Sequence, residues 1–275
     1  MDPAYDFSSK SIIMPLAVKF GIDILVSFIA TIVYMLINIK DFPLETGADF
    51  EVIYEFVAGV QQHMVIITLI SSICLLPILI PMFQKDNKSI GKVAIKWSMY
   101  LFLIVIGITG SIALNNILSL SQIANISTAY QKIVELFFKP AVWLQVLGLG
   151  IVIPIAEEVL FRGILFGRLR RVLHRPSAIC ISALLFGIMH GNLIQFIYAF
   201  VMGAIFAYLY DLCGNIKVPI CLHIVANLTT IIMTKYEMSK WLFVSFLRVG
   251  VITVGFTFVC ISFIMLAKEQ MLRKC

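Results

Sequence analysis

The chain has 275 residues, of which 61% are hydrophobic and only 13% charged, and its mean hydropathy is +1.01. Soluble domains run to about half apolar and a quarter charged, so a soluble globular domain is excluded and a polytopic membrane protein is indicated. The formal net charge of +6 implies no nucleic-acid partner, because the Lys and Arg of a membrane protein collect in its cytoplasmic loops.

A helix needs about 20 predominantly apolar residues to cross the hydrocarbon core. Eight stretches meet or approach that length: Ile12–Ile39, Met64–Phe83, Trp97–Leu120, Ala141–Leu165, Ser177–Asn192, Ile194–Leu212, Val218–Thr234 and Trp241–Ala267. The fifth is short and the seventh is polar in places, so both must pack inside a bundle. The reading is all-α: a single integral membrane domain over residues 1–275, built as a bundle of about eight transmembrane helices. The six cysteines form no CxxC pair and fall mostly in apolar stretches, where cysteine acts as a small hydrophobe.

Loop charges alternate along the chain. After the first span, Lys40 stands against Asp41, Glu45, Asp49, Glu51 and Glu55. The next loop carries Lys85, Lys88, Lys92 and Lys96 against Asp86, and the fourth span runs into Arg168, Arg170, Arg171 and Arg175. Lys268, Arg273 and Lys274 end the chain. The positive-inside rule therefore puts both termini and the basic loops in the cytoplasm, with the acidic loop outside.

Ionisable residues inside the spans carry the functional signal. Glu157 and Glu158 lie in a strongly apolar run, Pro154-Ile155-Ala156-Glu157-Glu158-Val159-Leu160-Phe161-Arg162-Gly163. A carboxylate at bilayer depth costs at least a few kcal/mol, about 3 on the lenient insertion scale. Glu158 and Arg162 stand at i and i+4, share a helix face and are expected to pair. Glu157 points about 100° away from that face and has no such partner, which leaves it freer to act as a base. His190 follows in Phe186-Gly187-Ile188-Met189-His190, and His223 and Asn227 stand at i and i+4 in a third apolar segment. Imidazole and carboxamide on one face suit an oxyanion. Each group alone has a plain structural reading, as a core histidine or an interhelical hydrogen bond. Three spans would each need such a reason independently.

The strings EExxxR, FxxxH and HxxxN, in that order and without substitution, resemble the CPBP intramembrane protease family. That family includes the type II CAAX prenyl endopeptidases and bacteriocin-processing and immunity proteins. The resemblance covers Ala141–Thr234, a protease core with its active site inside the bundle. It implies a metal-independent glutamate protease in which Glu157 and His190 activate a water. His223 and Asn227 would then stabilise the tetrahedral oxyanion, with Glu158 and Arg162 in support. The implied partners are a peptide or protein substrate at the membrane and the lipid bilayer. The Ile- and Lys-rich composition and the bacteriocin-related branch suit a bacterial plasma membrane. Because the hydrocarbon core is poor in water, the site must open into a polar cavity, expected here toward the cytoplasm.

Two alternatives stay open on the residues alone. Two histidines with one or two carboxylates also make a zinc set, although no HExxH occurs and no histidine shares the glutamates' span. Intramembrane Glu, His and Arg also build ion or proton relays in transporters, and a non-catalytic immunity or scaffold protein could carry the same residues. Lys19 and Asp23, at i and i+4 in the first span, read as a neutralising pair.

Overall fold

A backbone in hydrocarbon must satisfy its own polar groups, so long apolar runs become helices. The computed structural model describes residues 10–39, 50–87, 95–121, 127–238 and 245–272, and they are almost entirely helical. In chain order the helices are α1 (Lys10–Ile37), α2 (Phe50–Gln61), α3 (Met64–Asp86) and α4 (Trp97–Leu120). There follow α5 (Thr128–Phe138), α6 (Val142–Val172), α7 (Arg175–Ile188), α8 (Leu193–Cys213), α9 (Lys217–Lys235) and α10 (Phe246–Leu272). The helical part of the all-α, polytopic expectation holds: seven described helices are long and apolar enough to cross a membrane. The remaining expected span, 177–192, is α7, whose 14 residues rise only about 21 Å.

Helix α6 is the centre of the bundle, with 61% of its apolar window buried, whereas α1 lies at the edge with 0%. Helices α3, α7 and α9 pack around α6, α4 packs against both α9 and α10, and α7 pairs with α8 as a hairpin. One apolar cluster joins α4, α8, α9 and α10 through Leu103, Ile106, Phe206, Leu209, Leu222 and Cys260. A second joins α3, α6 and α7 through Leu79, Leu160, Ile164, Leu165 and Phe186. Ile24, Phe28, Leu101, Val254 and Phe258 are exposed on the outside of the bundle, which suits a surface solvated by lipid.

One end of the bundle is stitched by ion pairs. Arg168 Nε meets Asp86 Oδ2 at 2.6 Å, joining the ends of α6 and α3. Arg170 Nε meets Asp211 Oδ1 at 2.8 Å, and Arg175 binds the other oxygen of Asp211. The chain between α8 and α9 turns at this end on Gly214, with φ 60°. Of the charged segments read from the sequence, residues 40–49, 88–94 and 273–275 lie outside the described residues.

Two helices were absent from the sequence reading. Helices α2 and α5 have 12 and 11 residues, too few to span, and each carries an apolar stripe against a polar one. Both join spans at the end away from Arg168–Arg175.

Candidate active site

Helix α6 is irregular where it carries the two glutamates. Residues Val146–Val152 and Val159–Phe166 are π-helical, and Ile153–Glu158 between them is α-helical. Single π turns in α-helices are frequent at functional sites. Here the widening also leaves a carbonyl without its donor. The Ile153 N–H bonds Gly148 O in the i→i+5 pattern. The next donor in that pattern is residue 154, a proline with no N–H. Asn227 Nδ2 donates to the orphaned Leu149 carbonyl at 2.8 Å, tying α9 to α6.

The ion pair expected from spacing is present. Arg162 Nη1 donates to Glu158 Oε1 at 2.9 Å, and both side chains are 0% exposed. His223 Nδ1 lies 2.8 Å from the same Oε1. A carboxylate oxygen accepts, so Nδ1 carries the hydrogen. Among the described residues the remaining guanidinium edge has no hydrogen-bond partner. Instead the cation lies 4.2 Å from the Phe186 ring centroid and 5.4 Å from that of Phe206, where the negative ring faces attract it. Gly203 makes room for it: a Cβ there would come within 2.8 Å of Arg162 Nη2.

His223 bridges the glutamate doublet. Its Nε2 is 3.7 Å from Glu157 Oε2, and Glu157 retains 23% side-chain exposure while Glu158 has none. The division between one buried, paired glutamate and one open glutamate therefore follows the helix-face argument. His190 lies beyond the end of α7, in the turn closed by Gly191 at φ 72°. Its Nδ1 donates to Phe186 O at 2.9 Å, which leaves Nε2 with the lone pair in the neutral ring. Asn192 caps α8, its side chain accepting from Gln195 N at 2.9 Å, and so fixes the turn that presents His190. Phe186 touches the whole cluster, with its ring centroid 5.0 Å from that of His190 and 5.7 Å from that of His223.

Glu157, His190, His223 and Asn227 all line one cavity of about 480 Å³. Glu157 and His190 thus face a common space, and the ionic neighbour of Glu157 is His223. The cavity lies toward one end of the bundle. It is lined by the starts of α3 and α8, the end of α4 and the later turns of α9, with α5 across it through Tyr130, Ile133, Val134 and Phe137. All of these lie toward the end opposite Arg168–Arg175. Toward the basic end, α6 is packed solid: Leu160, Ile164 and Leu165 are 0% exposed. Burial pushes the Tyr130 phenol up from its ordinary pKa, so at neutral pH it is a hydroxyl donor on the cavity wall.

Lys19 and Asp23 pair at 2.6 Å on α1, and Ser71 of α3 donates to Asp23, so the pair also docks α1. Among the described residues, no three His, Cys, Asp or Glu side chains are arranged to hold a metal ion.

Sequence reasoning missed the Leu149 carbonyl, the Asn192 cap and Gly203. The first had a local signal in the proline five residues on, and the second in an Asn before an apolar run with Gln195 three residues later; Gly203 had none.

Comparison with known proteins bears out the motif resemblance. Residues 139–229 match the family described as "Type II CAAX prenyl endopeptidase Rce1-like". A Bacillus subtilis protein, YdiL, whose name provisionally describes a membrane peptidase, is 35% identical over 162 residues. That alignment covers 58% of this chain and 63% of the relative, less than two thirds of its length. No solved structure matches the chain.

Proposed function

We propose that the chain is an intramembrane endopeptidase that hydrolyses a peptide bond of a membrane-associated peptide or protein. The observation that carries this reading is the convergence of Glu157 of α6, His190 of the turn after α7, and His223 and Asn227 of α9 on one cavity. The match to an endopeptidase family over these same segments supports it.

In this mechanism a water in the cavity gives its proton to Glu157 as its oxygen attacks the substrate carbonyl. The neutral His190 accepts a hydrogen bond at Nε2, since Nδ1–H is engaged by Phe186 O, and so orients the water. The carbonyl oxygen becomes an oxyanion. Asn227 commits one Nδ2 hydrogen to Leu149 O and has a second for the oxyanion. His223 has Nδ1–H on Glu158, so its Nε2 donates only in the imidazolium form. Collapse of the intermediate breaks the C–N bond, and the proton held by Glu157 passes to the leaving amine. Glu158 and Arg162 do not touch substrate in this scheme; they hold His223 and the α6 face in place. No step needs a metal.

The test is cleavage of a candidate membrane peptide by purified protein in liposomes. General acid–base groups contribute about 10²–10⁴-fold, so Glu157→Gln should lose at least a hundredfold in rate while its thermal transition stays within a few degrees of the parent. Cleavage at the parental rate by folded Glu157→Gln protein would refute the assignment.

A further inference from the structure

We propose that substrate enters from the face opposite Arg168–Arg175, beneath helix α5, and that the substrate is a peptide segment presented on that face. With the basic loops cytoplasmic, it would be an extracytoplasmic or outer-leaflet segment and not a cytoplasmic C-terminus. The substrate part of this inference rests on the peptidase reading above; the route of entry does not.

Three observations carry it. First, the basic end is closed. Between the cavity and that end lie Leu160, Ile164, Leu165 and Phe166 of α6, at most 2% exposed, against Leu209 of α8 and Val218 of α9, both 0%. Interiors of this kind have few voids larger than a water, so neither water nor peptide reaches Glu157 there without unpacking the bundle. Second, the cavity extends the other way, along Thr68 of α3, Leu118 of α4 and Thr230 of α9. Third, its cover at that end is slight. Helix α5 is 11 residues long and lays Tyr130, Ile133, Val134 and Phe137 over the cavity at helical i, i+3, i+4 and i+7 spacing. Gln131, Lys132 and Glu135 on its other side are exposed. Gln145 holds its far end, donating to Phe138 O at 2.8 Å and Pro140 O at 2.7 Å, and nearer its start the Lys132 ammonium lies 5.5 Å from the centroid of the Tyr54 ring of α2. In this proposal α5 moves about the Lys139–Pro140 junction to admit substrate, giving up the Lys132–Tyr54 contact as it does so. The wall it covers is mainly apolar, and apart from the Glu157–His223 cluster its charged side chains, Lys19 and Asp23, neutralise each other. The cavity thus suits an apolar, uncharged stretch of peptide.

Sided labelling decides the route. In full-length protein reconstituted in one orientation, Thr68→Cys and, separately, Val134→Cys are treated with a membrane-impermeant thiosulfonate from one side at a time. Modification at each position is read by peptide mass spectrometry. Lys132→Cys and Arg175→Cys, both at exposed positions, mark the two faces. In the Thr68→Cys and Val134→Cys proteins the introduced thiol should react at least tenfold faster from the Lys132 face than from the Arg175 face. Faster reaction from the Arg175 face, or reaction from neither, would overturn the proposal. The labelling needs no catalysis: entry from the Lys132 face with no peptide cut by the parent protein would refute the peptidase reading and leave the route intact. Cleavage only of peptides supplied at the Arg175 face would refute the route and leave the peptidase reading intact.

Discussion

Asn227 shows how one side chain can serve backbone and chemistry together. Its Nδ2 fills the place of the N–H that Pro154 lacks, at 2.8 Å from Leu149 O, and a net hydrogen bond of this kind contributes roughly 0.5–1.5 kcal/mol. The bond also fixes the carboxamide, so its second N–H points consistently. Asn227→Ala should therefore lower both stability and activity. If the orphaned carbonyl is the cause of the first loss, Pro154→Ala in the same chain should restore part of the stability by returning a donor to residue 154. It should not restore cleavage. Thermal unfolding in detergent of the parent, the two single variants and the double variant measures this, and strictly additive losses would contradict it. The Glu158–Arg162 pair was legible from spacing alone, because i and i+4 neighbours meet within one helix whatever surrounds them. The His223 contact to Glu158 was not, since it joins residues 65 positions apart and depends on how α9 sits against α6. The Leu149 carbonyl lay between these cases: Pro154 announces a missing donor, but only the π register shows which acceptor loses it.

At the scale of elements, hydropathy found every long helix and passed over α2 and α5. A threshold of about 20 apolar residues cannot register 11 or 12. Helix α5 did have a local signature: Ser127 as N-cap, accepting from Tyr130 N at 3.2 Å, followed by a one-sided apolar stripe. What the stripe faces is a tertiary fact. The attachment of α5 through Gln145 gives a direct test. Gln145→Leu removes both bonds to Phe138 O and Pro140 O and should free the Lys139–Pro140 junction. Because proline after lysine resists trypsin, the readout is cleavage at the exposed Lys132 under native conditions. It should accelerate several-fold, with little change at Lys235, which lies on a different helix. An unchanged digestion pattern would mean that α5 is held by its apolar face and the Lys132–Tyr54 contact, without help from Gln145.

For the whole molecule, the sequence conveyed a charged end and an apolar middle but not where the middle is hollow. Loop charge reports which end is basic; packing decides which half is open, and packing depends on how Leu160, Phe206 and Leu222 interlock between helices. The ionisable residues sit at the junction between the two halves, Glu158 and Arg162 in the packed part and Glu157 and His190 on the cavity. This arrangement implies a gradient of local stability along the bundle axis. Elements with few buried apolar contacts open at low free energy, and well-packed ones approach the global value. Amides of Leu160–Leu169 at the packed end should therefore exchange with deuterium at least tenfold more slowly than those of Thr128–Phe138 over the cavity. Asn227–Thr230, whose helix borders the hollow half, should be intermediate. Peptide-resolved exchange in nanodiscs gives the order directly. The reverse order, with residues 160–169 exchanging first, would place the pliable half of the bundle at the basic end and contradict both the packing and the entry route drawn from it.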